Sequence, residues 1–519
     1  MIIPYLLDPA RGCPFVGFHH ILQGSTKLGP EPFYYQQSHK LRHVPIWKFF
    51  FLGQGVVNLT GSALIQQWFV REFDGVIGSK PPTPKELAKR RSQPSIFGTD
   101  NIAFERRKEE HSFLRRLVGG GIQNAKPLPT LQDAANKVIR RMQHEQRQQQ
   151  QNQQSHTAAA MIAAHPYSVD YTMEFVQKHI LGIRHGEHRA QVREALIVWM
   201  NALNSLMASL RIPFIIRRTK AYQARLFLEE QINQQIAYLE THGPDDSILS
   251  AMLFARDDDA ESTRLERPQV VENALFLVAA GAETSANTLT LALLLLGLHP
   301  EKYQKLVQEQ AAFVDDNDTT TNDDGTTNIR VTQDELQQSP YLDAIVHEAL
   351  RMGPVSGGFP RKVRETITID GYQVPKGWSI FGSIRLTHQL DLMTWQPDLA
   401  HMNPYRGFAP ERWLDPSTKP QEFIPFGVGA RYCLGANLAL LELKVFLATF
   451  ARIIPSFTLP VQASKKDIEW DKRSIIPRPK DGVLMTLAND GGGKGIESDQ
   501  EHLVASNKNS NTTIYSSLD

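Results

Sequence analysis

The chain has 519 residues, and its 56 Lys and Arg stand against 55 Asp and Glu for a formal net charge of +1. That balance removes the bulk electrostatic case for a nucleic-acid partner or an acidic membrane surface. Two cysteines, Cys13 and Cys433, cannot supply a four-thiolate zinc site or a disulfide framework, so a reducing compartment is the natural setting.

In chain order, Met1 to Pro9 is too short and too early broken by proline for a signal sequence or a spanning helix. A soluble or peripherally membrane-associated protein on the cytoplasmic side is expected, unless a preceding segment has been lost. From Ile46 to Thr60, aromatic and β-branched residues around Gly53-Gln54-Gly55 predict two short strands and a turn. Helical patterns follow near 61–73, 105–118, 131–145, 167–181, 188–208, 218–242, 268–298, 300–313, 333–351 and 435–452, with a strand-rich patch over 363–383. The Ala- and Leu-rich stretch from Asn273 to Leu298 carries Glu283 and Asn287 in its middle. A charge at a bilayer centre costs about 2.5–3.5 kcal/mol, so this is read as a buried core helix.

Two inserts, Gln143 to His156 and Val314 to Asn328, have almost no apolar residues to bury and are expected to be disordered surface excursions. The tail over 489–519 reads the same way. The fold class is mainly α with small β-sheets (α+β), one domain over 1–488 with inserts at about 143–156 and 314–328.

Four constellations carry chemistry. Cys433 lies in Phe426-Gly427-Val428-Gly429-Ala430-Arg431-Tyr432-Cys433-Leu434-Gly435, just before an apolar helix. Gly427 and Gly429 permit a tight turn with backbone N–H groups aimed inward, and Gly435 lets the next helix approach whatever the sulfur binds. A thiolate held this way suits an iron. Glu348 and Arg351 are three apart on one helix face and can pair, and the preceding Pro340 to His347, half apolar, places that face toward a core; Arg412 follows downstream. Ala280-Gly281-Ala282-Glu283-Thr284 interrupts the long helix with small residues, a buried acid and a hydroxyl. His111 and Arg115, four apart, share a helix face.

The cysteine segment strongly resembles the haem-binding loop of the cytochrome P450 family, and the resemblance covers roughly residues 9 to 487, excluding the two inserts. The resemblance implies that fold, with haem between the long central helix and the cysteine-loop helix and Cys433 as axial ligand to the iron. It implies Glu348, Arg351 and Arg412 as a structural triad, and Glu283 and Thr284 as proton source and hydrogen-bond gate in oxygen activation. Ala280 and Gly281 would let the helix pass close to the cofactor, which Phe426 and Gly435 flank. His111, Arg115, Arg431 and one of Arg361 or Arg364 would meet the haem propionates. Gly357-Gly358-Phe359 and Gly371-Tyr372 through Trp378 are similar to segments of retinoic-acid hydroxylases and their cyanobacterial relatives. The implied activity is insertion of one oxygen atom of O2 into an apolar retinoid, terpenoid or sterol. Electrons would come from a flavoprotein reductase or ferredoxin, because no dinucleotide fingerprint occurs in the chain. A haem-thiolate isomerase or dehydratase acting on a peroxide, and a non-catalytic haem sensor, are the alternatives; the Glu283-Thr284 pair argues against the former. Ala279, Ala280, Thr284, Val355, Phe359, Ile475 and Ile476 are the expected pocket lining.

Overall fold

The computed structural model describes residues 35–36, 38–51, 54–78, 83, 85–86, 95–96, 98, 101–152, 160–183, 188–203, 213–257, 264–314, 319–321, 327–396, 400–460, 468–469 and 479–488. Cys13, Ile475, Ile476 and the 489–519 tail lie outside the described residues.

Strands β1 (Ile46–Phe51) and β2 (Gln54–Leu59) form the expected hairpin, with Ile46 opposite Leu59. Helices α1 (Ser62–Phe69), α2 (Lys108–Asn124) and α3 (Leu128–Asn152) follow. After the short β3 (Ile162–Ala163) come α4 (Ala164–Phe175), α5 (His188–Leu203), α6 (Lys220–His242), α7 (Ile248–Phe254), α8 (Arg267–Leu298) and α9 (Pro300–Ala311). A small hairpin, β4 (Thr319–Thr321) and β5 (Thr327–Ile329), precedes α10 (Pro340–Met352). Strands β6 (Gly358–Lys362), β7 (Ile367–Ile369), β8 (Tyr372–Val374) and β9 (Ser379–Ser383) lead on to α11 (Ala436–Ile453), β10 (Phe457–Thr458) and β11 (Leu484–Leu487).

The axis of the molecule is α8. Glu266 and Gln269 close a capping box at its start, with Pro268 in its first turn. Its 32 residues reach about 48 Å at 1.5 Å per residue. Apolar residues surround it on every side, the pattern of a helix enclosed by others, and 72% of its most apolar stretch is buried. It packs most heavily on α4 and also touches α10 and α11, which is the core-helix reading of the sequence. The N-terminus of α10 is closed by Glu309, whose carboxylate accepts from the Tyr341 and Leu342 amides at 2.7 and 2.9 Å.

One mixed sheet runs in the order β1-β2-β9-β6, with β2 parallel to β9 and the other pairs antiparallel. Strand side chains alternate between faces, so Phe359 and Arg361 of β6 leave the same side. That side faces the chamber described below.

Three expectations change. Helix α3 does not stop before the glutamine tract; it runs to Asn152, and Gln146 is 2% exposed. The Gln146 amide donates to the Leu487 carbonyl and accepts from the Leu487 amide, both at 2.8 Å. A glutamine side chain carries the donor and acceptor of a peptide group, so it serves β11 as an extra strand edge without any apolar burial. The second insert also holds secondary structure, the β4–β5 hairpin, and it is tied to α3: the Asn136 side chain bonds the Ile329 carbonyl and amide at 2.9 and 3.1 Å. The 167–181 pattern is not one α-helix either. It ends in a π-turn, Val176–Ile180, which carries Ile180 to within 3.7 Å of where a side chain on Gly281 would begin.

Candidate functional site

The arrangement begins on α10. Glu348 and Arg351 are both fully buried, and Arg351 grips the carboxylate with two hydrogen bonds, Nε to Oε2 at 2.8 Å and Nη2 to Oε1 at 2.9 Å. Arg412 Nε adds a third donor at 3.0 Å, Trp413 Nε1 a fourth at 2.9 Å and the Ala409 amide a fifth at 3.2 Å. Burial pushes the Glu348 carboxyl up; Arg351, then Arg412 and Trp413, outweigh it and hold the group below the usual range. The paired residues of the sequence reading therefore meet in one ionised knot.

A histidine that sequence reasoning missed carries this knot to the cysteine loop. The buried His388 accepts from the Ile424 amide at Nε2, at 3.0 Å, so its Nδ1 bears the proton and donates to the Arg351 carbonyl at 3.2 Å. Burial pulls its pKa down to about 3, which keeps the ring neutral and able to play both parts. Only its place between the two motifs could have signalled this role.

From Ile424 the chain turns through Gly427 and Gly429, whose φ angles are 75° and 72°. A Cβ on Gly429 would stand 2.7 Å from the Phe69 carbonyl oxygen, so both turn geometry and close approach demand glycine there. The inward N–H groups are distributed differently from the expectation. The Gly427 amide donates to Ile424 and the Cys433 amide to Phe426, each at 3.0 Å, and the N–H that supports the sulfur comes from Gly435. Burial raises the Cys433 thiol, while Gly435 and then Arg115 pull it down. A cation at the sulfur would complete its ionisation.

Cys433 opens into a chamber between α8 and the cysteine loop. One lobe, of about 320 Å³, is lined by Ala280, Thr284, Val355, Phe359 and Phe426, and the other, of about 400 Å³, by His111, Arg115, Gly281, Gly435 and Glu442. Ala280, Thr284, Ser285, Arg361, Arg431 and Cys433 border both, so the lobes are two faces of one space. Four of the expected lining residues are present; Ala279 packs into the helical core instead.

Thr284 donates to the Ala280 carbonyl at 2.7 Å, the common back-bond of a helical hydroxyl, and keeps its lone pairs for the chamber. Glu283 is only half-buried and borders neither lobe, which corrects the expectation of a buried acid. The buried acid is Glu442, one element away on α11. It is 3% exposed, its Oε1 has no hydrogen-bond partner among the described residues, and burial pushes it up to about 8, with Ser285 pulling the other way.

Cationic groups gather at one end. Arg115 donates to the Tyr432 carbonyl at 2.9 Å, and Arg361 and Arg431 flank Glu72. Of the two candidates on β6 and just beyond it, Arg361 borders the chamber and Arg364 does not. Burial, then Arg431 and Arg115, lower His111 to about 4, so it stands as a neutral ring. A haem fits these donors. It is a flat apolar disc with two carboxylates on one edge, and the chamber has small residues along α8, guanidiniums at one edge and a thiol against its face.

The comparisons agree with this geometry. The family model described as Cytochrome P450 matches residues 8–485. Cytochrome P450 26C1 of Mus musculus is 26% identical over 513 residues, covering 94% of this chain and 90% of that protein. The (1S)-1-hydroxy-luvungin A synthase CYP88A37 of Citrus sinensis is 31% identical over 235 residues, or 45% of this chain, and the match spans 44% of that synthase. Among solved structures, retinoic acid bound cyanobacterial CYP120A1 is similar in fold, with a TM-score of 0.65 at 23% identity over 90% of this chain and 96% of that one. With the thiol loop and the small-residue helix around one chamber, the buried triad linked to that loop through His388, and a family model spanning nearly the whole sequence, the chain belongs to the cytochrome P450 family.

Proposed function

We propose that the protein is a haem-thiolate monooxygenase that inserts one oxygen atom of O2 into an apolar retinoid-, terpenoid- or sterol-like substrate, with electrons from a separate flavoprotein reductase or ferredoxin. The observation that carries the reading is the joint presence of Cys433 and Thr284 on both lobes of the chamber. When bound, the haem supplies the redox chemistry of O2. Every other task falls to the chain.

Cys433 is the ligand, steadied by the Gly435 amide. Arg115, Arg361 and His111 hold the propionate edge. The Thr284 hydroxyl has its proton on the Ala280 carbonyl, so it first accepts a hydrogen bond from whatever enters the chamber, and passes a proton on only when that back-bond is released. Glu283, half-buried on the neighbouring position, is the proton source for this exchange through solvent.

Leu350, Val355, Phe359, Ile384 and Phe426 make one lobe apolar. Removing apolar ligand area from water contributes about 25 cal/mol per Å², which favours a long hydrocarbon over a polar metabolite. The names of two relatives support a retinoid or terpenoid: one is described with retinoic acid bound and the other as a luvungin A-type synthase. The test is spectral titration of the ferric protein with retinoids, sterols and fatty acids, followed by turnover of any binder with reductant and O2. Thr284→Ala should keep binding and keep consuming reductant while peroxide replaces hydroxylated product. Unchanged coupling in that variant would refute the role of Thr284, and silence of every apolar candidate would refute the substrate class.

A further inference from the structure

Glu72, which follows α1, lines neither lobe of the chamber, yet its carboxylate joins two residues that line both. Its Oε2 accepts from Arg361 Nε at 2.9 Å and its Oε1 from Arg431 Nε at 2.5 Å, with the Glu72 side chain 8% exposed. The two arginines come from β6 and the cysteine loop, so one carboxylate ties together three segments distant in sequence. Aromatic rings back each guanidinium: Arg361 lies 5.5 Å from the Phe69 centroid and Arg431 5.5 Å from that of Phe73.

The donors that remain decide what each arginine can do. A guanidinium has five N–H groups. Arg431 gives Nε–H to Glu72 and its Nη groups to the carbonyls of Ile102, Ala103 and Glu105, so it is nearly spent as a strut for the 101–105 segment. Arg361 gives up Nε–H to Glu72 and one Nη1–H to the Pro360 carbonyl, and among the described residues the rest of its fork has no other acceptor. Holding Nε fixes the plane of that fork. Without Glu72, Arg361 would be left beside the like charge of Arg431 with the Pro360 bond as its one hydrogen bond among the described residues and the Phe69 and Phe359 rings behind it. Glu72 also sets the charge: with His111 neutral, Arg115, Arg361 and Arg431 minus Glu72 leave two positive charges at the edge of the chamber, equal and opposite to two carboxylates.

We propose that Glu72 is a positioning residue for the haem-propionate site, aiming the free edge of Arg361 at a propionate; this rests on the haem-thiolate reading above. The test uses haem-loaded protein, wild type, Glu72→Gln and Glu72→Asp. Haem loss to excess apomyoglobin and the propionate-bending bands in resonance Raman spectra are measured beside the melting temperature. Aiming predicts that Glu72→Gln loses haem at least tenfold faster, with weakened propionate hydrogen bonding. Glu72→Asp, which keeps the charge but withdraws it by one methylene, should fall between. Slower haem loss in Glu72→Gln, the result of removing a negative charge that merely competes with the propionates, overturns the proposal. So does unchanged loss, or faster loss with unaltered propionate bands, which marks general destabilisation. Wild-type protein that holds no haem refutes the parent reading; wild-type haem binding with indifferent variants refutes only the role of Glu72.

Discussion

Glu442 makes a contribution to stability that falls as pH rises across a range where most proteins are at their best. Its ordinary pKa is 4.5 and burial on α11 carries it to about 8. Between those values the folded chain holds a proton that the unfolded chain has released, so unfolding gains ground with each step up in pH. At about 1.4 kcal/mol per pH unit, the whole interval corresponds to about 5 kcal/mol, of which about 3 kcal/mol has accrued by pH 7. His111 and His388, lowered from 6.5 to about 4 and about 3, act with the opposite sign: their contribution is present above 6.5 and is lost as pH falls toward those values. The single substitution Glu442→Gln separates the two, because it removes one slope and leaves the other. The assay is denaturant unfolding of wild type and variant at pH 5 and pH 8, read as the difference between them, with an infrared titration of the protonated-carboxyl band. Wild type should lose several kcal/mol more than the variant between the two pH values, and the band should vanish in Glu442→Gln. Parallel slopes, or no protonated carboxyl at pH 6, would refute the argument from burial.

Three further outcomes are expected. Cys433→His should abolish the red-shifted absorption of the reduced carbonyl complex that thiolate ligation gives haem; persistence of the band would remove Cys433 as ligand. Arg351→Ala breaks a fully buried pair, at a cost of about 3–5 kcal/mol, and should yield little haem-loaded protein, whereas normal haem content and an unchanged melting temperature would show that the triad is dispensable. Gln146→Ala deletes two hydrogen bonds to Leu487 and should lower stability by about 1–3 kcal/mol, measured as a shift in urea midpoint, while alanine at the exposed Gln148 to Gln150 should shift it little; equal effects at all these positions would contradict the strand-edge role.

Legibility in the sequence followed the range of the forces involved. Period and punctuation located α8 and α11 within a residue, because an apolar stripe and a cap are local properties; the 333–351 pattern ran two helices together, Gln333–Gln337 and α10 from Pro340. The Glu348 and Arg351 pair was legible for the same reason: a spacing of three places both on one face. Glu72 and His388 were not legible, since each joins segments that only tertiary folding brings together, and neither lies in a recognisable pattern. The glutamine tract failed for another reason. Burial was judged from apolar content alone, and Gln146 is buried by hydrogen bonding to a strand edge. Glu283 and Glu442 show a third limit: motif context marks Glu283 beside Thr284, but it does not tell that the carboxylate lining the chamber is that of Glu442 on α11.

The chamber's polarity is arranged along one axis, and this gives an order to assembly. The ionised knot at Glu348 is complete without a cofactor, since Arg351, Arg412, Trp413 and the Ala409 amide all donate to it. Through neutral His388 it fixes Ile424 and the start of the cysteine loop. A protonated His388 could not accept from the Ile424 amide, so the low pKa that burial imposes is what allows the link. The loop is therefore shaped by contacts that owe nothing to a metal, and Cys433 is held in place before any ligand is bound. Among the described residues the guanidiniums that border the chamber are Arg115, Arg361 and Arg431, and an amphipathic disc that enters would meet them with its carboxylates. Thiol placement comes from the knot and orientation comes from the arginines, and because the two sets of contacts share no residue, variants in one should leave the other measurable.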